Sequence, residues 1–378
     1  MPSHLLVTND YPPKVGGIQV YLHELWRRLP PQRAVVVTAS SDPAAAEFDA
    51  ATDVVIERVR QSLLFFPTPR VLQQIRKAVA RHNPDVVLLD PAWPLGLLGP
   101  FLGRPFGVIL HGAEVTIPGR LPIVSSTLRF ILRRAHVAVS AGTYPEAEAR
   151  RNAKEGLAPI IQVPPGVDTK RFVPLPSETH SVIRRELGLD ENGFLVASYS
   201  RLVPRKGMDV LIRAAAMLRE EIPNLEVAIG GSGRDRDRLE RLAADLNAPV
   251  TLLGRVSDEA LPSWLAASDL MVMACRSRWL GLEQEGFGIV FAEASACGIP
   301  VIAGRSGGSH DAVVHGETGL IVDNPRSVSE LAAAIRLLYR DPQLRRRMGE
   351  AGRRHAETTL EWDVLAAQLD EGLRAYGG

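Results

Sequence analysis

The sequence predicts an α/β protein built from two Rossmann-like domains, each a doubly wound parallel sheet. Three features of the chain carry that prediction. In both halves, short apolar runs of strand length alternate with stretches whose apolar residues recur at helical spacing. Glycine turns stand directly after several of the apolar runs, at Gly16-Gly17, Gly207, Gly230-Gly231 and Gly307-Gly308. A Pro-rich segment, Val163-Pro-Pro-Gly-Val-Asp168 with Pro174 and Pro176 behind it, separates the two series and sets the domains at 1–170 and 171–361.

The totals bound what such a protein can be. With 378 residues, 46% of them apolar, and a net charge of +1, the chain has interior enough for two cores and the balance of a globular protein. It lacks the basic footprint of a nucleic-acid binder, so no nucleic-acid partner is expected. Its two cysteines, Cys275 and Cys297, stand among apolar residues and read as buried thiols of a reducing compartment. The first residues enter a strand without a charged leader and apolar signal core, and no apolar run is long and unbroken enough to span a bilayer. The expected location is the cytoplasm, peripheral on the inner face of the plasma membrane.

The first series begins with the run His4 to Asp10, followed by the turn Tyr11-Pro-Pro-Lys-Val-Gly16-Gly17 and by Ile18, Leu22, Leu25 and Leu29 at helical spacing. Gly16 and Gly17 let the backbone approach a ligand at the carboxyl end of that strand. The spacing is not G-x-G-x-x-G, so a dinucleotide-dependent redox reaction loses its main support. Further strands are expected at Ala34–Thr38, Val54–Val59 and Asp85–Asp90. Between the last two, Arg70, Lys77 and Arg81 share one helical stripe opposite Val71, Ile75 and Val79. That is a surface helix packed on the sheet; its basic stripe would also suit anionic lipid headgroups, at about 1 kcal/mol per basic residue, as would Arg129 to Arg134. The strand Phe106–Leu110 runs into His111-Gly112, which puts a histidine where open α/β sheets bind ligands. Alone it would read as an ordinary loop histidine.

The second series opens with Phe194–Ser200 and continues Arg201-Leu-Val-Pro-Arg-Lys206-Gly207 into a helix. Arg201 and Lys206 straddle a turn at a strand's carboxyl end and suit a diphosphate, each charge-assisted bond contributing about 1.5–3 kcal/mol. After the strand Leu225–Ile229, Asp235 and Asp237 have a metal-motif spacing, but Arg234, Arg236 and Arg238 surround them and a first helical turn favours acids; no metal site is expected there. Strands ending near Arg255-Val256 and Cys275 follow, then Glu285-Gly-Phe-Gly-Ile-Val-Phe-Ala-Glu293. This stretch reads as a glycine-rich loop feeding a helix N-terminus, where free N–H groups and the helix dipole attract phosphate. On a continuous helix the two carboxylates would stand about 12 Å apart. Glycosidase acid/base pairs sit roughly 5–9.5 Å apart, so Glu285 and Glu293 suit the two ends of an elongated phosphorylated ligand. Val301–Gly308 adds a strand with a glycine turn, and Glu361-Trp362-Asp363 opens the last helix.

Taken in order, Thr8-Asn-Asp-Tyr-Pro-Pro-Lys-Val-Gly-Gly-Ile-Gln19, His111-Gly112, Pro164-Pro-Gly-Val-Asp168 with Phe172, Ser200-Arg-Leu-Val-Pro-Arg-Lys-Gly207 and Glu285-x7-Glu293-Ala-Ser-Ala296 make a set. The chain resembles, over essentially its whole length, the retaining GT-B glycosyltransferases with an E-x7-E motif, and is similar to the actinobacterial phosphatidylinositol mannosyltransferases. The resemblance implies a GT-B fold, an acceptor-side domain 1–170 and a nucleotide-sugar domain 171–361 facing each other across a cleft, and a C-terminal helix, 362–378, returning to the first domain. It implies transfer of mannose from the nucleotide-sugar donor GDP-mannose to a lipid-linked inositol acceptor, with no cofactor and no metal required. His111, Arg201, Lys206 and Glu285 then carry catalysis, with His111 beside the reacting sugar, Glu285 on the hexose and Glu293 on the ribose. Gly16, Gly17, Arg255, Val256, Gly286, Phe287, Gly288, Ile289 and Val290 complete the donor contacts, and Asp10, Gln19 and His111 face the acceptor. Ala113 stands where relatives usually carry a polar residue, so one acceptor contact differs. A UDP-sugar with a soluble acceptor, or a sugar-nucleotide-binding protein without catalysis, stays open as an alternative.

Overall fold

The computed structural model describes residues 3–39, 42–59, 64 and 66–376. The chain divides into two compact units, Met1–Pro165 with Trp362–Gly378, and Gly166–Glu361. The sequence places the junction at 170/171; it falls instead at 165/166, because the intervening residues are tied to the second unit. Val167 donates its N–H to Leu360 O at 2.8 Å and Thr169 N–H bonds Glu361 Oε2 at 2.9 Å.

Among the described residues, unit 1 holds a parallel sheet of β1 (His4–Thr8), β2 (Ala34–Ala39), β3 (Val55–Val59), β4 (Val86–Asp90), β5 (Phe106–Leu110), β6 (Val137–Ser140) and β7 (Ile160–Gln162). Their order is β3-β2-β1-β4-β5-β6-β7. All five residues of β1 are buried, as expected of a strand covered on both faces. Its side chains alternate between two cores: Leu5 and Val7 join Val71, Ile75 and Leu128 on one face, and Leu6 joins Leu22, Leu25 and Trp26 on the other. The same second core takes Trp362, Leu365, Ala366, Leu369 and Leu373 from the helix Trp362–Arg374. Arg28 Nε to Asp363 Oδ1 at 2.7 Å and Gln368 Nε2 to Gln162 O at 2.8 Å hold that helix at its flank. Gly377 and Gly378, which the sequence adds to this helix, lie outside the described residues.

Unit 2 repeats the plan with β8 (Phe194–Tyr199), β9 (Leu225–Gly230), β10 (Val250–Gly254), β11 (Leu270–Met273), β12 (Val301–Gly304) and β13 (Gly319–Val322), ordered β10-β9-β8-β11-β12-β13. In each sheet the strand order reverses once, beside β1 and β4 in unit 1 and beside β8 and β11 in unit 2. Such switch points open a crevice at the carboxyl ends of the strands. Among the described residues, no helix is long and apolar enough to cross a membrane.

Leu369 is fully buried against the β1 face of unit 1. Leu369→Ala should destabilise the protein by about 2–5 kcal/mol in denaturant unfolding. A loss under roughly 1 kcal/mol would mean that the terminal helix is not part of that core.

Candidate active site

In unit 2 the functional side chains come from loops at the switch point. The turn after β8 closes at Gly207, whose φ of 73° is left-handed and where a Cβ would lie 2.0 Å from Ala274 O. Only glycine fits, and this close approach holds the turn against the end of β11. Lys206, 7% exposed, places its Nζ 2.7 Å from Glu285 Oε2, and Arg205 Nη1 reaches the same oxygen at 2.9 Å. Burial alone would raise the Glu285 carboxyl; Lys206, Arg205 and, less strongly, Arg201 outweigh it and hold it below the usual range. Arg201 itself is exposed and has no side-chain partner among the described residues. Three cations around one carboxylate leave two positive charges over, which complements the two negative charges of a nucleotide diphosphate sugar. Glu283, which nears Arg205 at 3.9 Å, is itself bonded to Arg278 at 2.9 Å.

The backbone supplies the rest of this site. The helix begins at Ile289, with Gly288 in a left-handed conformation before it (φ 84°). Glu285 therefore stands in the preceding loop and Glu293 inside the helix, and the separation expected of a continuous helix does not apply. Among the described residues, none of the N–H groups of Gly286, Phe287, Gly288, Ile289 and Val290 meets an acceptor. They form the open amino end of this helix, the kind of group that attracts anions. Gly308 N–H donates to Glu285 O at 2.9 Å, and a Cβ on Gly308 would lie 2.1 Å from Gly286 O, so the glycine turn after β12 props the loop from below. Glu293 lies apart from the cation cluster. Burial pushes its carboxyl up to about 7, with Arg171 opposing and Asp258 adding to the rise. Arg255 is exposed after β10, and Val256 packs over Gly230, where a Cβ would lie 2.8 Å from it. The acids that resemble a metal motif are otherwise engaged or exposed: Arg238 holds both oxygens of Asp235 at 2.7 Å, and Asp237 faces solvent.

In unit 1 a second cluster forms where β1, β4 and β5 end. His111 Nε2–H donates to Asp90 Oδ1 at 2.8 Å, and Thr8 Oγ1 donates to the other oxygen of Asp90 at 2.6 Å. The Tyr21 ring stands edge-on to the imidazole, with centroids 5.5 Å apart. Burial would lower the imidazole, but Asp90, by charge and hydrogen bond, then Glu114 and Asp10 more than offset it and raise it above 6.5. Asp10 joins the cluster with its N–H on Thr8 Oγ1 at 2.9 Å and its Oδ1 accepting from Gln19 Nε2 at 2.8 Å. Burial, followed by Asp90, raises the Asp10 carboxyl. Gly16 precedes the helix Gly17–Trp26 in extended backbone, and a Cβ there would press on Gln19 Oε1 at 2.3 Å. The absence of a side chain at Gly16 leaves Gln19 room to reach Asp10.

Asp90 and Arg205, with Thr8 and Tyr21 beside the first, were not singled out in the sequence. Asp90 reads only as the end of a strand, because its partner His111 comes from the next one; the signal was an acid closing an otherwise apolar run. Arg205 stands in the quoted turn and reads as a neighbour of Lys206, whereas it shares the Glu285 oxygen. Of the basic stripe, Arg81 is engaged by Glu57, while Arg70 and Lys77 are exposed. Arg129 and Arg133 donate to Asn152 O and Ala153 O, both at 3.0 Å, and so cap the neighbouring helix.

The chain matches the family described as glycosyl transferases group 1 over residues 180–355, and glycosyltransferase family 4 over residues 15–171. It is 38% identical to a GDP-mannose-dependent alpha-(1-6)-phosphatidylinositol monomannoside mannosyltransferase of Mycolicibacterium smegmatis, across 97% of each chain. A monoacylated-substrate counterpart from Corynebacterium glutamicum is 35% identical across 98% of this chain and 97% of its own. Among solved structures, the Anabaena protein HepE in complex with UDP superposes with a TM-score of 0.82 at 22% identity, over 99% of this chain and 100% of that one, which speaks for the fold.

Two titrations test these clusters. His111 gains its proton affinity from Asp90, so the stability it contributes is fully present below pH 6.5 and is lost as pH rises through its raised folded value. Asp90→Asn should bring the His111 titration, followed by NMR of the imidazole C–H, down below that of the wild type; an unmoved titration would remove the pairing. Glu293 is an acid raised from 4.5 to about 7, so its favourable contribution is complete below pH 4.5 and disappears as pH rises toward 7. Glu293→Gln should flatten the fall in melting temperature across that window, and an unchanged slope would show that the carboxyl is ordinarily solvated.

Proposed function

The chain belongs to the GT-B glycosyltransferases of group 1 and family 4, and from that premise we propose that it transfers mannose from GDP-mannose to a phosphatidylinositol mannoside-type lipid, with retention at the anomeric carbon. The relatives that align along nearly its whole length act, by their names, on GDP-mannose and phosphatidylinositol monomannoside. The observation that carries the reading is the convergence of Lys206 and Arg205 on one oxygen of Glu285 beside the open N–H groups of 286–290. It is a site for a sugar diphosphate: cations and amides for the phosphates, and a carboxylate held ionised to accept hydroxyl hydrogens from the hexose.

The reaction breaks the bond between the anomeric carbon and the β-phosphate of GDP. Negative charge grows on the leaving phosphate while the sugar turns oxocarbenium-like. Lys206 and the helix-end amides stabilise that charge from fixed positions, where donors act most strongly, and Arg201 adds its charge once the ligand has ordered it. The acceptor hydroxyl attacks the face that the diphosphate leaves and gives its proton to the departing phosphate, so no protein nucleophile is assigned. Glu293 is given the ribose hydroxyls, and Arg255 and Val256 the base end of the donor. In unit 1, His111, oriented by Asp90, serves the reacting sugar, and Asp10 with Gln19 serves the acceptor. The two surplus positive charges of unit 2 do at the diphosphate what a divalent ion would do elsewhere, so the proposal needs no metal. The protein would work at the inner leaflet, with Arg70 and Lys77 available to anionic headgroups.

With GDP-mannose and a membrane lipid extract, the wild type should form a mannosylated lipid, and transfer should persist with EDTA present. Lys206→Ala should lower turnover by about tenfold or more. Turnover near the wild-type value would take the diphosphate away from this cluster, and release of a different sugar in a donor screen would replace the donor.

A further inference from the structure

The loop that carries Glu285 begins with a segment for which the proposed chemistry has no use. Arg278 and Glu283 close its base: the N–H of Arg278 donates to Glu283 O at 2.9 Å, the return bond is 3.2 Å, and the two side chains pair at 2.9 Å. Between them Trp279, Leu280 and Gly281 all take left-handed backbone, with φ of 48°, 54° and 84°. Glycine adopts that conformation at no cost, but two consecutive bulky L-residues do so only against a steric penalty. The strained turn aims its apolar side chains outward. Leu280 is 99% exposed, Trp279 62% and Leu282 40%. Strain of this kind persists where the surroundings hold it, and here they do: besides the paired base, Gln284 Nε2 grips Gly281 O at 2.7 Å.

We infer that the 278–283 loop is an apolar wedge that enters the acyl region of an anionic bilayer. Its size argues against a protein partner, since a stable interface takes about 800 Å² and roughly 20–30 residues on each side, far more than a four-residue tip presents. Its composition fits a membrane boundary. The leucine at the apex is the group to bury in acyl chains, and tryptophan is the residue that favours the headgroup level. The base is basic on balance: the Arg278 guanidinium, paired with Glu283, lies 4.8 Å from the Trp279 ring centroid, and exposed Arg326, which donates to Ser277 O at 3.1 Å, adds a positive charge without a carboxylate partner among the described residues. An apolar tip above a basic collar is the arrangement that binds negatively charged lipid surfaces. On the reading given under Proposed function, the wedge would seat the donor cluster, which follows it directly in the chain, at the leaflet that holds the acceptor.

The test needs neither donor nor acceptor, so it stands apart from the proposed transfer. The full chain is mixed with vesicles of phosphatidylglycerol and bromine-labelled phosphatidylcholine, and tryptophan fluorescence is followed. Of the five tryptophans, Trp26 and Trp362 are buried, Trp93 and Trp264 are half-buried and Trp279 is 62% exposed, so most of the quenching expected of the wild type should come from Trp279 and be lost in Trp279→Phe. Leu280→Glu should weaken co-sedimentation with these vesicles by about tenfold, while its melting temperature and GDP affinity stay those of the wild type, because the side chain it replaces touches solvent. Quenching that survives in Trp279→Phe, equal vesicle binding by Leu280→Glu, or no vesicle binding by the wild type would each overturn the inference, whatever sugar the enzyme is found to transfer.

Discussion

One carboxylate oxygen organises unit 2. Arg201, Arg205 and Lys206 fall within six residues of one another, and left alone such a turn would spread its like charges into solvent. Glu285 Oε2 gathers two of them at 2.7 and 2.9 Å and thereby ties the loop after β8 to the loop after β11. The arrangement is expensive in desolvation. A buried ion pair holds only where geometry and further hydrogen bonds answer the charges, and here two cations share one acceptor. The backbone takes up the remaining constraint: Gly207 presses on Ala274, and Gly307 and Gly308 leave no space for a Cβ under Glu285 and Gly286. Substituting any of these glycines would move the loops that the charges hold together.

Unit 1 solves a similar problem with the opposite polarity. Here a fully buried acid, Asp90, is answered by a histidine and a threonine, and the three arrive from β4, the residue after β5, and β1. Neighbouring parallel strands in register deliver their carboxyl ends side by side, as Thr8 with Asp90 in the β1 and β4 pairing. The sheet therefore does the positioning, and the loops need contribute only the residue type. Both clusters lie beside the strand at which the order reverses, where no crossover helix covers the edge.

This division explains what was legible in the sequence. Strands buried on both faces read as continuous apolar runs, and β1, β2, β4, β5 and β8 were found within a residue or two of their ends. The strands β6, β7 and β13 span four residues or fewer and went unread, whereas β11 and β12, of four residues each, were read with the Cys275 and Gly307-Gly308 loops that follow them. Arg201, Lys206, Glu285 and the glycines were legible because loop chemistry is local, and a turn must hold its charges and its glycines close together in the chain. Asp90 and the sharing of Glu285 by Arg205 were not, because they depend on which strand end lies next to which. That Glu285 stands in a loop feeding the helix was legible from the glycines, whereas the residue at which the helix begins was hidden for a related reason. Apolar residues run on from Phe287, and only the left-handed Gly288 shows that the helix has yet to begin.

Pairing within the cluster also bears on how the site would take a ligand. A lysine side chain loses substantial rotamer freedom when it is fixed, and binding that must freeze it is weakened accordingly. Lys206 has already lost that freedom to Glu285, so a phosphate arriving beside it meets an ordered cation whose remaining N–H donors still point away from the carboxylate. Arg201 differs, being exposed and unpaired among the described residues, and would be ordered only by the ligand. On the proposed reading, Lys206 is the cation fixed before the diphosphate arrives, and Arg201 is the one that the diphosphate itself would order.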